Sequence, residues 1–324
     1  MNQRIRVAVI GCGSMGQNHI RIFSQMKNVD LIGIYDLNTE AATKVASEYS
    51  CKTFLALEGI ESEVDAVSIC TPSTTHHDVA SYFMNEKIHC LVEKPLATSE
   101  GDAENLVKLS KKNRVKLLVG HVEQFNPAVI QLREILNNGE FKINTVKTSR
   151  TGVGGARITD VGVIEDIMIH DLDVVLSIVG EIPSEIYSGG INKVPNTPED
   201  LCVAMLKFPS GIIADLTASR ITHKRTRTLE IDTDKGVFVL DYFTQELEFH
   251  HHRQDTLEQD PLSKLGTAVM DTRIEKILLR RAEPLITELN HFIEMISEDV
   301  AAVVSGSQAL TSLLVAWKIK ENLT

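Results

Sequence analysis

The rhythm of apolar positions changes near residue 120. Before it, short aliphatic blocks at 4–10, 30–35, 51–54, 65–70, 88–92 and 115–119 alternate with stretches whose apolar residues recur every three or four positions. The helical stretches include Gln17 to Met26, Thr39 to Tyr49, His76 to Asn85 and Glu100 to Lys112. Strands alternating with helices predict a doubly wound parallel sheet, an α/β domain of the Rossmann type. Ligands of such sheets sit beyond the carboxyl ends of the strands. Here those ends are Gly11, Asp36, Cys70-Thr71-Pro72, Glu93-Lys94-Pro95 and Gly120-His121.

After Pro127 a helix (Ala128 to Asn137) leads to a strand near 143–150, a glycine-rich loop from Gly152 to Gly155, and a long helix from Ile164 to Ile178. Strand-like runs then crowd together at 184–191, 201–208, 211–219, 227–233, 236–242 and 245–250. Pro209-Ser210-Gly211 and Asp234-Lys235-Gly236 join neighbours at hairpin distance. This pattern predicts a mainly antiparallel sheet in an α+β domain. Residues 253–272 are polar and irregular, a loop, and amphipathic helices Pro284 to Ile296 and Ser307 to Glu321 follow. The expected domains are 1–120 and 121–324.

A chain of 324 residues can bury two cores. Its formal charge of -11 argues against a general nucleic-acid binder, which would carry a basic face. No apolar run approaches the ~20 residues needed to span a bilayer, and the first strand begins with no signal-peptide core before it. The 5 cysteines are scattered, with no CxxC, and read as free thiols of a reducing cytoplasm. Cys12 reads either as a redox nucleophile or, more simply, as a small residue tolerated between two glycines.

Gly11-Cys12-Gly13-Ser14-Met15-Gly16 joins the first strand to the first helix. A GxGxxG in that setting is a phosphate-binding turn. Gly11 permits the tight turn, Gly13 lets backbone approach a pyrophosphate, and Gly16 lets helix and strand pack closely. The helix N-terminus that follows offers free N–H groups and a positive dipole end to the phosphates, and Ser14 and Met15 in the turn are expected beside the cofactor. Asp36 ends the second strand 25 residues after Gly11, near the expected spacing of about 20. An acid there accepts hydrogen bonds from the ribose hydroxyls and repels a 2′-phosphate, which predicts NAD in preference to NADP. The alternative is a glycine turn with no ligand.

Two further segments carry chemistry. Glu93-Lys94-Pro95 puts a lysine and a glutamate at the mouth of a buried strand, towards the nicotinamide end of such a cofactor; the alternative is a solvated charge pair. Asp166, His170 and Asp173 are spaced to share one helix face. A carboxylate one turn from an imidazole can orient it and raise its basicity. A capping acid beside an unrelated histidine and a metal site are the other readings, and zinc would want more convergent ligands.

Together Gly11/Gly13/Gly16, Thr71-Pro72 with His76, Glu93-Lys94-Pro95 and Asp166…His170…Asp173 resemble the Gfo/Idh/MocA (glucose–fructose oxidoreductase/inositol dehydrogenase) family across essentially the whole chain. The resemblance implies a Rossmann domain followed by an α/β domain whose open sheet mediates homodimers or homotetramers. It implies Lys94, Asp166 and His170 as the catalytic group, and Thr71, Pro72, His76 and Glu93 beside the cofactor. Sugars and polyols are the implied substrates, with no membrane or nucleic-acid partner and no metal.

Gly120 to Pro127, Arg157 with Asp160 to Val163, and Leu240-Asp241-Tyr242 with Gln245 to Leu247 are similar to UDP-N-acetylglucosamine 3-dehydrogenase-like members. That similarity implies oxidation at C3 of a UDP-N-acetylhexosamine, with Gln124, Arg150, Arg157, Asp173 and Arg220 as substrate residues. Gln124 departs from the usual arginine. A diphosphate needs cations, and Arg150, Arg157, Arg220, Lys224, Arg225 and Arg227 are available; 220–227 also reads as a solvated basic strand end. A dehydrogenase of free polyols such as myo-inositol, or a non-catalytic dinucleotide-sensing regulator, are the rival functions. His250-His251-His252 lies on a strand, where neighbours point to opposite faces, and Trp317 reads as core or interface.

Overall fold

The computed structural model describes residues 4–153, 161–193, 197–251 and 273–323. They form two compact units. One comprises Met1–Phe125 and Ala282–Leu314, the other Asn126–Arg281 and Val315–Thr324. The division thus differs from a single cut near 120, because a segment late in the sequence returns to the first unit.

In the first unit β1 (Ile5–Ile10) leads into α1 (Ser14–Gln25), followed by β2 (Val29–Tyr35), α2 (Thr39–Glu48), β3 (Lys52–Phe54) and β4 (Ala66–Ile69). Then come α3 (His76–Asn85), β5 (His89–Glu93), α4 (Glu100–Asn113) and β6 (Leu117–Gly120). The strands make a 6-stranded parallel sheet in the order β3-β2-β1-β4-β5-β6. Val7, Ala8, Val9 and Ile10 are all 0 % exposed, as expected of a central strand covered on both faces. The strand order reverses direction between β1 and β4. That switch point is where such sheets bind ligands.

The second unit begins with α5 (Pro127–Asn137), whose cap Asn126 accepts the Ala128 N–H. β7 (Ile143–Thr151) is followed by a π-helical turn, Ile164–Met168, which runs into α6 (Ile169–Val179). Next come β8 (Glu185–Ile191), β9 (Leu201–Lys207), β10 (Ile213–Ser219), β11 (Thr226–Thr233), β12 (Gly236–Asp241), β13 (Glu246–His251) and β14 (Ile274–Ile277). They form an 8-stranded sheet, β14-β13-β12-β11-β7-β10-β9-β8, antiparallel except where β10 lies parallel to β7. One face packs with Leu172, Val175, Phe208, Phe238 and Ile319 in the core. On the other face Tyr187, Val203, Met205 and Ile213 stay exposed.

α7 (Pro284–Ser297) belongs to the first unit, and the division falls inside α8 (Gly306–Glu321). α7 buries Leu285, Leu289, Phe292, Ile293 and Met295, a stripe at helical spacing that needs a partner surface. It finds one on α1 and on the short turn at Val122–Phe125.

Candidate active site

In the first unit the glycine turn has the geometry its residue types predict. Gly11 sits at φ +94, and a Cβ there would lie 2.7 Å from the Cys70 carbonyl oxygen. A Cβ on Gly16 would come within 1.9 Å of the Gly11 carbonyl oxygen. Both are glycines for reasons internal to the fold. Gly13 is different: φ is -63, and nothing lies within 4 Å of the Cβ it lacks. A side chain would fit there in the protein alone, so the fold itself makes no demand for glycine. α1 starts at Ser14, earlier than periodicity suggested, with no capping side chain and no acid in its first turn. The exposed backbone of Gly13 and Ser14, an open helix N-terminus and a missing Cβ fit a pyrophosphate cradle.

Asp36 stands at the other end of this cradle. It accepts the N–H of Cys12 at 2.8 Å and of Asn38 at 2.9 Å. Partial burial opposes its charge, but these two backbone donors hold the carboxyl below the usual aspartate range. The Cys12 thiol is pushed up to about 11 by burial and by Asp36. Both effects work against the thiolate, the nucleophilic form of a cysteine, which favours the small-residue reading of Cys12.

His76 is 1 % exposed and bridges two loops: Nδ1 lies 2.8 Å from the Pro95 carbonyl and Nε2 2.9 Å from the Thr71 carbonyl. It therefore ties Thr71-Pro72, after β4, to the cis Lys94-Pro95 peptide after β5. Its role in the structure is to hold these loops. Lys94 and Pro95 are half-buried, Pro72 exposed. Glu93 points away from the mouth, with Oε1 3.2 Å from His19 Nε2 and Oε2 accepting the Lys94 N–H at 3.3 Å. Gln124 is only 2 % exposed.

In the second unit the segment bearing Asp166 and His170 starts with π rather than α geometry, which shifts their relative direction from the α-helical expectation. A π turn inside a helix is often found at functional sites. Glu199 supports it: the carboxylate Oε1 accepts the Ile164 N–H at 3.0 Å, and the Glu199 carbonyl accepts the Val163 N–H at 3.0 Å. A Cβ on Gly162 would lie 1.9 Å from that Oε1, so the glycine makes room for the cap. Asp166 and His170 are half-buried. Next to Asp166, Glu165 accepts the Trp317 indole N–H at 3.1 Å and Lys320 Nζ at 2.6 Å, which makes Trp317 part of the support of this segment.

Three of the expected substrate residues have protein partners. Arg150 is 5 % exposed and forks onto Asp171, under the ring of Tyr242. Arg220 bonds Asp200 at 2.6 Å and the Val161 carbonyl at 2.9 Å. Asp173 is 3 % exposed, and its charge acts on Arg133. The diphosphate role expected of Arg150 and Arg220 is therefore weakened: each already has a carboxylate partner. Arg157 lies outside the described residues, as do His252 and the 253–272 loop. His250 and His251 face different carboxylates, Glu248 and Glu275.

This glycine turn, sheet order and second-domain sheet recur in proteins of known class. The GFO/IDH/MocA model of an oxidoreductase family with an NAD-binding Rossmann fold matches residues 5–121. The GFO/IDH/MocA C-terminal domain matches residues 129–239. The chain belongs to the GFO/IDH/MocA family. As a member it is an oxidoreductase. Among GFO/IDH/MocA relatives, UDP-N-acetylglucosamine 3-dehydrogenase from Acidithiobacillus ferrooxidans is 28% identical over 316 residues, 98% of this chain and 96% of that protein. Inositol 2-dehydrogenase from Rhizobium meliloti is 25% identical over 96% of this chain and 94% of its own. A solved structure of the Acidithiobacillus enzyme superimposes with a TM-score of 0.89 at 28% identity, covering 99% of this chain and 97% of that one.

Residues missed by sequence reasoning are His19, Glu199 and Glu288. The signal for two of them was present: His19 and Glu288 interrupt otherwise apolar stripes on α1 and α7.

Proposed function

We propose that this protein is an NAD-dependent dehydrogenase oxidising C3 of a UDP-linked N-acetylhexosamine. The observation that supports the substrate reading is the higher identity to the UDP-N-acetylglucosamine enzyme, 28% against 25% for the inositol enzyme, each over nearly the whole chain. Substrate choice within a shared Rossmann framework is made by groups outside the dinucleotide turn.

Gly11, Gly13, Ser14, Met15 and Gly16 would hold the pyrophosphate, Asp36 the adenosine ribose, and Thr71, Pro72 and Lys94 the nicotinamide half. Bound there, the nicotinamide supplies a two-electron acceptor. His170 takes the proton of the reacting hydroxyl as general base. Lys94 donates to the hydroxyl oxygen and stabilises the alkoxide as it develops. Asp166 orients His170. His76 and Glu93 act from behind, by holding the loops that carry Thr71 and Lys94. Asp36 favours NAD, because a 2′-phosphate would meet a carboxylate.

A second reading, oxidation of a free polyol such as myo-inositol, is favoured by the engagement of Arg150 and Arg220 with carboxylates. NADH formation with UDP-N-acetylglucosamine against myo-inositol separates the two. A kcat/KM higher for the UDP-sugar supports the first reading; the reverse order replaces it. Tight NADH binding with no turnover of either would instead make the protein a dinucleotide sensor.

The exposed apolar face of β8–β10 fits a second copy of this chain, giving a homodimer or homotetramer. Met205→Glu would then release monomers in sedimentation analysis. Five free cysteines suit a reducing cytoplasm.

A further inference from the structure

One end of the second sheet carries an aromatic ring and a guanidinium that the core does not use. Tyr242 and Phe243 follow β12 and differ sharply in burial: Tyr242 is 4 % exposed, Phe243 68 %. Asp241 fixes the turn between β12 and β13, its Oδ1 accepting the N–H groups of Phe243 and Thr244, each at 2.8 Å. Phe243 therefore presents its ring to solvent from a braced backbone. The guanidinium carbon of Arg225 lies 5.0 Å from the centre of that ring. The stem of Arg225 runs beside Gly152, and the carbonyl of its neighbour Lys224 accepts the Thr151 hydroxyl at 2.7 Å.

A short chain of contacts joins this ring to the turn that carries the proposed base. Arg150 bonds Asp171, the neighbour of His170, and lies 4.8 Å over the ring of Tyr242. Arg227, opposite Arg150 in the β7–β11 register, accepts the Tyr242 N–H on its carbonyl at 2.9 Å. Residues 220–229 hold three arginines, Lys224 and His223 with no acid, in a chain whose formal charge is -11. Arg150 and Arg220 are engaged by carboxylates. Arg225 is exposed and has no carboxylate partner among the described residues. An exposed cation–π contact adds little to stability, so folding supplies no strong reason for the pair. A nucleotide supplies one: the π-face of a base stacks on an aromatic ring, and phosphate oxygens match the guanidinium fork.

We propose that Phe243 and Arg225 form the nucleotide subsite of the substrate: uracil stacks on the Phe243 ring, and Arg225, with Lys224 beside it, takes the diphosphate. The ring steadies the guanidinium while its N–H groups stay open to phosphate. This assignment deepens the UDP-sugar reading and rests on it. It also answers the commitment of Arg150 and Arg220 to carboxylates, because the diphosphate then needs neither. Arg150 keeps a supporting part, holding Asp171 on one side and the Tyr242 ring on the other. Binding energy gathered on the nucleotide, away from the reacting carbon, serves to orient the sugar.

The test compares Phe243→Leu, Phe243→Tyr and Arg225→Gln with the wild-type protein, all with saturating NADH so that UDP cannot enter the dinucleotide cradle. UDP affinity is read by calorimetry, and KM for UDP-N-acetylglucosamine and for free N-acetylglucosamine by steady-state kinetics. Phe243→Leu keeps apolar bulk without a ring and should weaken UDP about tenfold, whereas Phe243→Tyr should stay within about threefold of wild type. Arg225→Gln should weaken UDP about tenfold or more and reduce the salt dependence of its binding. KM for the UDP-sugar should rise in step, with KM for the free sugar and the melting temperature unchanged. Undiminished UDP affinity in both Phe243→Leu and Arg225→Gln overturns the subsite. So does a shift to smaller assemblies in sedimentation without loss of UDP affinity, which would make Phe243 a contact between copies. If the UDP-sugar is oxidised and the variants match wild type, the subsite alone fails. A wild type that binds no UDP and oxidises only a free polyol removes the UDP-sugar reading itself, so the two failures are distinguishable.

Discussion

Arg150 on β7 clamps Asp171 on α6 through two parallel bonds, Nε to Oδ2 at 3.0 Å and Nη2 to Oδ1 at 2.8 Å, with both side chains buried. Asp171 directly follows His170, so the clamp fixes the turn that carries the proposed base. Breaking one half of a buried ion pair leaves the other charge without compensation, which costs about 3–5 kcal/mol. Asp171→Ala is therefore expected to lower the urea midpoint sharply. Arg150→Lys keeps the charge but loses the fork; it should destabilise the fold while raising KM equally for a UDP-sugar and a free sugar. A selective rise for the UDP-sugar with unchanged stability would make Arg150 a diphosphate contact after all.

Gly13 offers a sharper test of the cofactor cradle than its neighbours. Gly16→Ala would drive a Cβ to 1.9 Å from the Gly11 carbonyl oxygen, so lost binding there could reflect a damaged turn. At Gly13 the backbone suits alanine and space is open. Gly13→Ala should melt within about 1 kcal/mol of wild type yet bind NADH at least about tenfold more weakly, a loss of about 1.4 kcal/mol. Fluorescence titration and thermal melts on one preparation decide it. Undiminished NADH binding would mean that no ligand approaches this backbone.

The lowered pKa of Asp36 sets a direction for pH dependence. Its folded value lies below the unfolded one, so its contribution to stability is complete above the ordinary aspartate range and fades as pH falls through the folded value. The same carboxylate is the proposed ribose acceptor. NADH affinity should therefore hold steady from neutral pH down to the ordinary aspartate range and weaken below it. Asp36→Ser should narrow the preference for NAD over NADP by at least about tenfold. An unaltered cofactor ratio in steady-state kinetics would withdraw the ribose assignment.

Gly162 and Glu199 make one device. Adding a Cβ at 162 would place it 1.9 Å from the Glu199 carboxylate that caps the π turn. Gly162→Ala is expected to cost about 1–3 kcal/mol and to lower kcat through the displaced Asp166 and His170. Glu199→Gln retains an acceptor for the Ile164 N–H and should stay close to wild type in both. Denaturant melts paired with kcat measurements would expose a merely structural glycine, for which stability falls and kcat holds.

Much of the first unit was legible because its signals are local. β1 announces itself by consecutive apolar residues, the turn by glycines at fixed offsets, α3 by spacing that matches its observed span of His76–Asn85. The strands of the second sheet were equally readable, since hairpin turns at 209–211 and 234–236 punctuate them. β14 was not, because four residues carry too little periodicity to stand apart from a loop. Nor was the π turn, whose residues have ordinary helical spacing and whose geometry follows from Glu199, more than thirty positions away.

By itself the sequence determined the order of elements, the place of the dinucleotide turn and the identity of the chemical groups available to it. These follow from turn geometry and periodicity, which act over a few residues. Only the tertiary structure decided which groups are committed to one another. It took Arg150 and Arg220 for Asp171 and Asp200, turned Glu93 towards His19, and brought α7 from late in the sequence onto α1. The reason is physical: desolvation and pairing depend on neighbours gathered from distant parts of the chain, and no local pattern records them.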